Sequence, residues 1–243
     1  MTSPRLSVDI WSDISCPWCF IGKRRFEAAL ATLPFRDSVD VTWHSYQLDP
    51  SLPAHYDGTE FEYLSEKKGM DPDQVKQMLE HVAAQAAEEG LHYDFGNLKV
   101  ANSFTAHRLL HLAAAHGVAG QVKEALLSAQ FEQGLDTGEA AVLRRIGTAA
   151  GLAEEDVVGV VESDRYTAEV QADVAQARAL GVTGVPFFVL DMKYGISGAQ
   201  PAEVFAEALT TAWNEISPLS MVNAGHDATT GTDAPACGPE GCN

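Results

Sequence analysis

From residue 6 to residue 11 apolar and polar positions alternate (Leu-Ser-Val-Asp-Ile-Trp), the two-residue period of a half-buried strand. A polar turn follows at 12–15, and from Cys16 to about Ala31 the apolar spacing becomes helical. Residues 39–44 read as a second short strand, ended by Leu48-Asp49-Pro50-Ser51-Leu52-Pro53, whose two prolines break the chain. A β-α-β unit is complete by residue 45.

Between Gly58 and Asp164 the spacing is helical almost throughout, at 59–68, 72–89, 103–116, 119–132, 139–150 and 154–163. Asp71-Pro72 and Gly151 supply start and stop signals. More than 100 residues without a good strand predict a helical insertion. A helix at 167–180, short strands at 185–190 and 194–197, and a helix at 200–214 complete the order. The pattern predicts an α/β protein of split thioredoxin-like topology, with one domain from 1–50 and 165–216 and a helical insertion at 51–164. Residues 217–243 are too small and polar in side chain to bury a core, so a mobile tail is expected there, carrying Cys237 and Cys242.

Composition narrows the function. With 46% apolar and 21% charged residues, the 243-residue chain has the balance of a soluble globular protein. Sixteen Lys and Arg face 34 Asp and Glu, a net charge of -18 that repels phosphate backbones and anionic membranes, so neither nucleic acid nor membrane is an expected partner. No run approaches the roughly 20 apolar residues that span a bilayer, and the N-terminus lacks a basic segment followed by an apolar one. The expected compartment is therefore the cytoplasm, where thiols are kept reduced and paired cysteines point to catalysis, redox sensing or metal.

The pair that stands out is Cys16-Pro17-Trp18-Cys19. Disulfide exchange needs one thiolate that attacks and a second thiol close enough to resolve the mixed disulfide. If the helix starts at Cys16, Pro17 occupies its first turn and Cys19 lies about one turn in. The helix dipole and unpaired N–H groups should then lower the Cys16 thiol, making Cys16 the nucleophile and Cys19 the resolver. Lys23, Arg24 and Arg25 are expected to be solvated, as is the face bearing Glu60, Glu62 and Glu66. A zinc site would need four ligands, and no second Cys-x-x-Cys or close His pair occurs in the core, so no metal is expected. His107 and His111 stand one helical turn apart but lack the Glu of a hydrolase motif, and they read as helix-face histidines. Gly-rich phosphate loops and nucleophile elbows are missing from the chain.

The segment Asp13-Ile14-Ser15-Cys16-Pro17-Trp18-Cys19-Phe20-Ile21-Gly22, together with Gly181-Val182-Thr183-Gly184-Val185-Pro186-Phe187-Phe188-Val189, resembles the DsbA-like thioredoxin superfamily, specifically its FrnE-type branch. The likeness extends to 43–50, 102–109 and 196–201. It implies a cis peptide between Val185 and Pro186 lying against the cysteines, with Val185 offering its backbone to an extended substrate. It also implies that the helical block shapes the cleft. Asn102, His107 and Arg108 fall in that block and are read as capping and packing residues.

Cys237-Gly238-Pro239-Glu240-Gly241-Cys242 can close a short loop, and the resemblance suggests an auxiliary redox pair. An inert tail, a four-thiolate metal site shared with Cys16 and Cys19, and a metal scavenger are the competing readings. The expected activity is cytoplasmic protein-disulfide reduction or isomerisation, with disulfide-containing proteins or peptides as substrates and a thiol electron donor. No cofactor is expected, glutathione being a candidate redox partner only. The rival is a glutathione-dependent small-molecule isomerase or transferase of the kappa and hydroxychromene-carboxylate isomerase type, or a polyketide-tailoring enzyme. Those typically carry Ser where this chain has Cys16. A redox-regulated metal or chaperone protein is the third possibility.

Overall fold

The computed structural model describes residues 4–216 and the backbone of 237–238 and 241–242. Apart from those four backbone positions, the mobile-tail expectation for 217–243 lies outside the described residues.

Strand β1 (Leu6–Ser12) runs into helix α1 (Pro17–Thr32), and β2 (Val39–Ser45) returns parallel to β1. Six helical elements follow: α2 (Glu60–Glu62), continued by a π turn over Tyr63–Lys67, then α3 (Pro72–Glu88), α4 (Phe104–Ala115), α5 (Ala119–Phe131), α6 (Ala140–Ala149) and α7 (Glu154–Val161). Helix α8 (Thr167–Ala179), strands β3 (Phe187–Leu190) and β4 (Tyr194–Ser197) and helix α9 (Ala202–Ile216) complete the main body. The sheet order is β2-β1-β3-β4, with β3 antiparallel to both neighbours. This is a thioredoxin-like sheet carrying a large helical block between β2 and α8. Beyond it, β5 (Cys237–Gly238) and β6 (Gly241–Cys242) pair antiparallel, with Cys237 opposite Cys242 in register.

Alternation in β1 explains how the sheet is covered. Leu6, Val8 and Ile10 point to one face, where they pack with Phe26 of α1, Phe188 of β3, and Phe205 and Leu209 of α9. The rings of Phe26, Phe188 and Phe205 meet at 4.6–5.9 Å. Trp11 points to the other face, toward Val189 and, on the α8 side, Ala177 and Val182. The strand ends inside the molecule: Ile14, two residues before Cys16, belongs to the core of the helical block with Leu109, Leu126 and Val157.

The predicted elements differ from the observed ones where chemistry intervenes. The strand predicted from 185 begins at Phe187, after Pro186, which has no N–H to give to the ladder. The last helix runs Ala202–Ile216 rather than 200–214. Lys23, Arg24 and Arg25 are not simply solvated. Lys23 is buried and pairs with Glu27 at 2.7 Å and Glu124 at 2.6 Å; Arg24 also reaches Glu124, and Arg25 bonds Glu89 at 2.6 Å and the Ala199 carbonyl at 2.8 Å. These contacts clamp α1 to α3, α5 and the turn before α9, so the charges act as braces.

A polar junction ties the sheet to the helices. His44 on β2 stacks on Trp11 at 4.4 Å, its Nδ1 2.8 Å from Asp173 of α8 and its Nε2 2.8 Å from Asp9 of β1. Asp173 also accepts from Ser45 N–H at 2.7 Å and lies 3.1 Å from His111 of α4. Burial alone would lower the His44 ring, but the two carboxylates outweigh it and raise it above its ordinary value. For Asp173 burial pulls upward, and bonds from His111, His44 and Ser45 hold it far below the usual carboxylate range.

Candidate active site

Cys16 is the N-cap of α1, with extended backbone (φ -96°, ψ 112°), and Pro17 takes the first helical position. The first turn has no acidic residue and Cys16 makes no side-chain cap bond, so the helix end keeps its positive field. Cys19 follows one turn in, its N–H donating to the Cys16 carbonyl at 3.0 Å. Both cysteines are free thiols, and both are buried. Of the two, only Cys16 lines a cavity of about 390 Å³. Its Sγ donates to the Val185 carbonyl at 3.4 Å, the residue that precedes cis Pro186.

Gly22 sets how closely the proline loop approaches α1. A Cβ at this position would meet the Pro186 ring at 2.8 Å and Ala199 at 3.4 Å. Gly22 lies about one helical turn beyond Cys19, and its missing side chain lets the loop lie against the cysteines. It therefore belongs with Pro186 in building the site.

The cavity wall is mainly apolar: Pro17, Trp18, Leu52, Leu64, Val82 and Val185 contribute, with Asp49, Glu60, Lys68 and Gln130 among its polar groups. Trp18 stands 6.1 Å from the His81 ring. Glu60 is half-buried here, and desolvation lifts its carboxyl to about 7. The solvated-face expectation therefore fails for Glu60, while Glu62 closes a capping box with Thr59. At the mouth Lys68 pairs with Asp49 at 2.6 Å.

Beneath the dithiol lies a polar floor. Asp13 is buried yet ionised: burial alone would raise it, but bonds from His107 (3.2 Å), the Ser103 hydroxyl and the Leu48 N–H (2.8 Å) bring it to about 2. The Ser15 hydroxyl also donates to it, at 2.7 Å. His107, fully buried on α4, is lowered by desolvation in spite of Asp13, which leaves a neutral ring at pH 7. Lys123 of α5 is also fully buried, and desolvation brings its ammonium down to about 8. Tyr93 closes the edge, its hydroxyl donating to the Pro17 carbonyl at 2.7 Å.

The two thiols titrate as a pair. For Cys16 a hydrogen bond to Cys19, then burial, push the thiol well above its usual value. Burial would raise Cys19 as well, but the Cys16 donor and the Lys123 charge hold it below. The first deprotonation belongs to the pair as a whole and not to either sulfur. Helix field and cavity access still favour Cys16 as the sulfur a substrate can reach.

The sequence pattern does not reveal the floor. It assigns His107 and Arg108 only to capping and packing; Arg108 does reach the Ser163 carbonyl, but His107 holds Asp13. Asn102 accepts from the Phe104 N–H at 2.9 Å, while Ser103 is the N-cap residue. His111 turns to Asp173 and Ser45, not to His107's partner. Lys123 carried a signal: it sits four residues before Leu127, on the buried face that also carries Val122 and Leu126.

A thioredoxin-like sheet with a Cys-x-x-Cys dithiol at the head of its first helix, set against a cis-proline loop, defines the class. A family model, the DSBA-like thioredoxin domain, matches residues 7–210, and the chain belongs to that family. It is a DsbA-like thiol-disulfide oxidoreductase. A probable DsbA oxidoreductase from Streptomyces coelicolor is 42% identical, with a TM-score of 0.81 over 98% of this chain and 99% of that one. Two more distant structures share the fold. One is a 2-hydroxychromene-2-carboxylate isomerase, 13% identical, TM-score 0.62, covering 86% of this chain and 97% of its own. The other is the cytosolic disulfide reductase DsbM from Pseudomonas aeruginosa, 18% identical, TM-score 0.59, covering 86% and 99%. No helix among the described residues is long and apolar enough to cross a membrane.

Proposed function

We propose that this protein is a cytoplasmic protein-disulfide reductase or isomerase, with Cys16 as the exchanging sulfur and Cys19 as the resolving one. The observation that carries the reading is that Cys16 alone of the pair opens onto the apolar cavity, 3.4 Å from the Val185 carbonyl. An extended substrate segment laid beside Val185 brings its sulfur to Cys16, and an apolar neighbour enters the cavity. Reduction begins when the Cys16 thiolate attacks a substrate disulfide; Cys19 then attacks Cys16, releasing the second substrate thiol. Isomerisation needs only that the substrate's own thiol attack before Cys19 does.

Insulin reduction and refolding of scrambled ribonuclease, each with dithiothreitol and then glutathione as donor, test the reading. Cys16→Ser should lose at least about a thousandfold in either assay, and Cys19→Ser should accumulate mixed disulfides. Inactivity of the wild type in both assays would transfer the reading to glutathione-dependent small-molecule chemistry. The auxiliary role of Cys237 and Cys242 is part of the proposal: their cross-strand register favours a pair.

A further inference from the structure

We propose that Lys123 is the buried counter-ion of the Cys19 thiolate, so that a residue of the helical block sets the redox poise of the dithiol. The inference rests on the dithiol reading above.

Three observations point to it. Lys123 is completely buried, and its Nζ has no hydrogen-bond partner among the described residues. The contrast is Lys23, another buried lysine, whose Nζ is held by Glu27 and Glu124. The Lys123 ammonium does lie over the Trp43 ring on β2, 5.6 Å away, which supports positive charge but does not neutralise it.

The surrounding charges leave a place for one anion. Asp13 acts on Lys123 from the loop before α1, but that carboxylate is already bonded by Ser15, Leu48 and His107. His107 on α4 is neutral, and Lys23 on α1 repels Lys123 while tied to its own acids. Among the groups that favour the Lys123 charge, Cys19 acts most strongly, ahead of Asp13 and Cys16. A buried ammonium without a bonded partner costs several kcal/mol, and a methionine would fill the same space without that cost. Stability gives no reason for a lysine here, whereas a thiolate formed next to it does.

The step in which that thiolate forms is the opening of the active-site disulfide. A substrate thiolate attacks the Cys16 sulfur; the Cys16–Cys19 bond breaks, its electron pair goes to the Cys19 sulfur, and a Cys16–substrate disulfide forms. The negative charge has moved from the substrate into the buried floor, where Lys123 meets it. In reverse, the Cys19 thiolate attacks Cys16 and expels the substrate thiolate. Lys123 therefore favours the opened state over the closed disulfide, making the pair more oxidising and Cys19 a better leaving group.

The test uses the full chain with Cys237→Ser and Cys242→Ser in every variant, so that only the active-site pair titrates. Thiolate absorbance at 240 nm against pH and the equilibrium constant with glutathione are measured with Lys123 in place and for Lys123→Met, with thermal unfolding to confirm a folded state. Loss of the charge should raise the apparent thiol pKa by about one or more and shift the glutathione equilibrium about tenfold or more toward the disulfide. Lys123→Gln should do the same, and it replaces the Met variant if that one fails to fold. Lys123→Arg should restore most of both values. A folded neutral variant with wild-type titration and equilibrium overturns the proposal, as does an Arg variant indistinguishable from Met. Both readouts are independent of turnover, so wild-type inactivity on protein disulfides would overturn the dithiol function without touching this result.

Discussion

Two polar clusters, one part-buried around His44 and one fully buried under the dithiol, are built on opposite terms. At the junction around His44, each ring nitrogen and carboxylate has a partner: Asp9 and Asp173 hold His44, and Asp173 also takes Ser45 and His111. Under the dithiol, the Lys123 Nζ and the His107 Nδ1 have none among the described residues. Satisfied polar groups specify how elements meet; unsatisfied ones raise the energy of the resting state and favour whatever brings the missing charge. The pH response separates them too. The raised His44 binds its proton more tightly folded than unfolded, so its contribution is complete below its ordinary value of 6.5 and is lost as pH climbs through the folded one. Lys123 is lowered from 10.5 to about 8, so folding is penalised by its charge below about 8 and relieved of it as pH rises toward 10.5.

The largest effect that can break this contrast is removal of the carboxylate at the centre of the satisfied cluster. Asp173→Ala leaves His44 with one acid and strands the Ser45 N–H, and should cost about 3 kcal/mol in urea unfolding while thiol exchange survives. A loss below about 1 kcal/mol, or an exchange defect in the folded variant, would show that the junction is not the structural half. Smaller, and on the chemical side, is Gly22→Ala. Pressed against Pro186, the new methyl should cost about 1–2 kcal/mol and slow exchange severalfold; a higher melting temperature with an unchanged rate would mean the loop adapts freely. Smallest is the pH effect. Stability of the wild type minus that of His44→Gln should decline as pH rises from below 6.5 through the raised folded value. A difference that grows with pH would reverse the sign assigned to His44.

Much of the fold was legible because period and punctuation agree with tertiary burial. Leu6, Val8 and Ile10 alternate in sequence and share one buried face in the sheet, and Pro17 marks the helix start that puts Cys16 at the N-cap. The charged residues were harder. Lys23, Lys123 and Glu60 have the composition of surface residues, and what buries them comes from segments distant in the chain: Glu124 for Lys23, Trp43 for Lys123, the cavity wall for Glu60. Local propensity holds no information on such partners. The Lys123 charge acting on the dithiol was invisible for the same reason, since it arrives from α5.

The loop holding the cysteines is owned jointly. Ile14 is packed in the helical core, Asp13 is held by His107, and the Pro17 carbonyl is bonded by Tyr93. Modularity is the casualty: the helices between β2 and α8 are no detachable cap, and a chimera that exchanges them for those of a relative would exchange the scaffold of the cysteine loop along with the shape of the cleft. Evolution and protein engineering then face the same coupling, in which choosing a new substrate and retuning the chemistry are a single change of part.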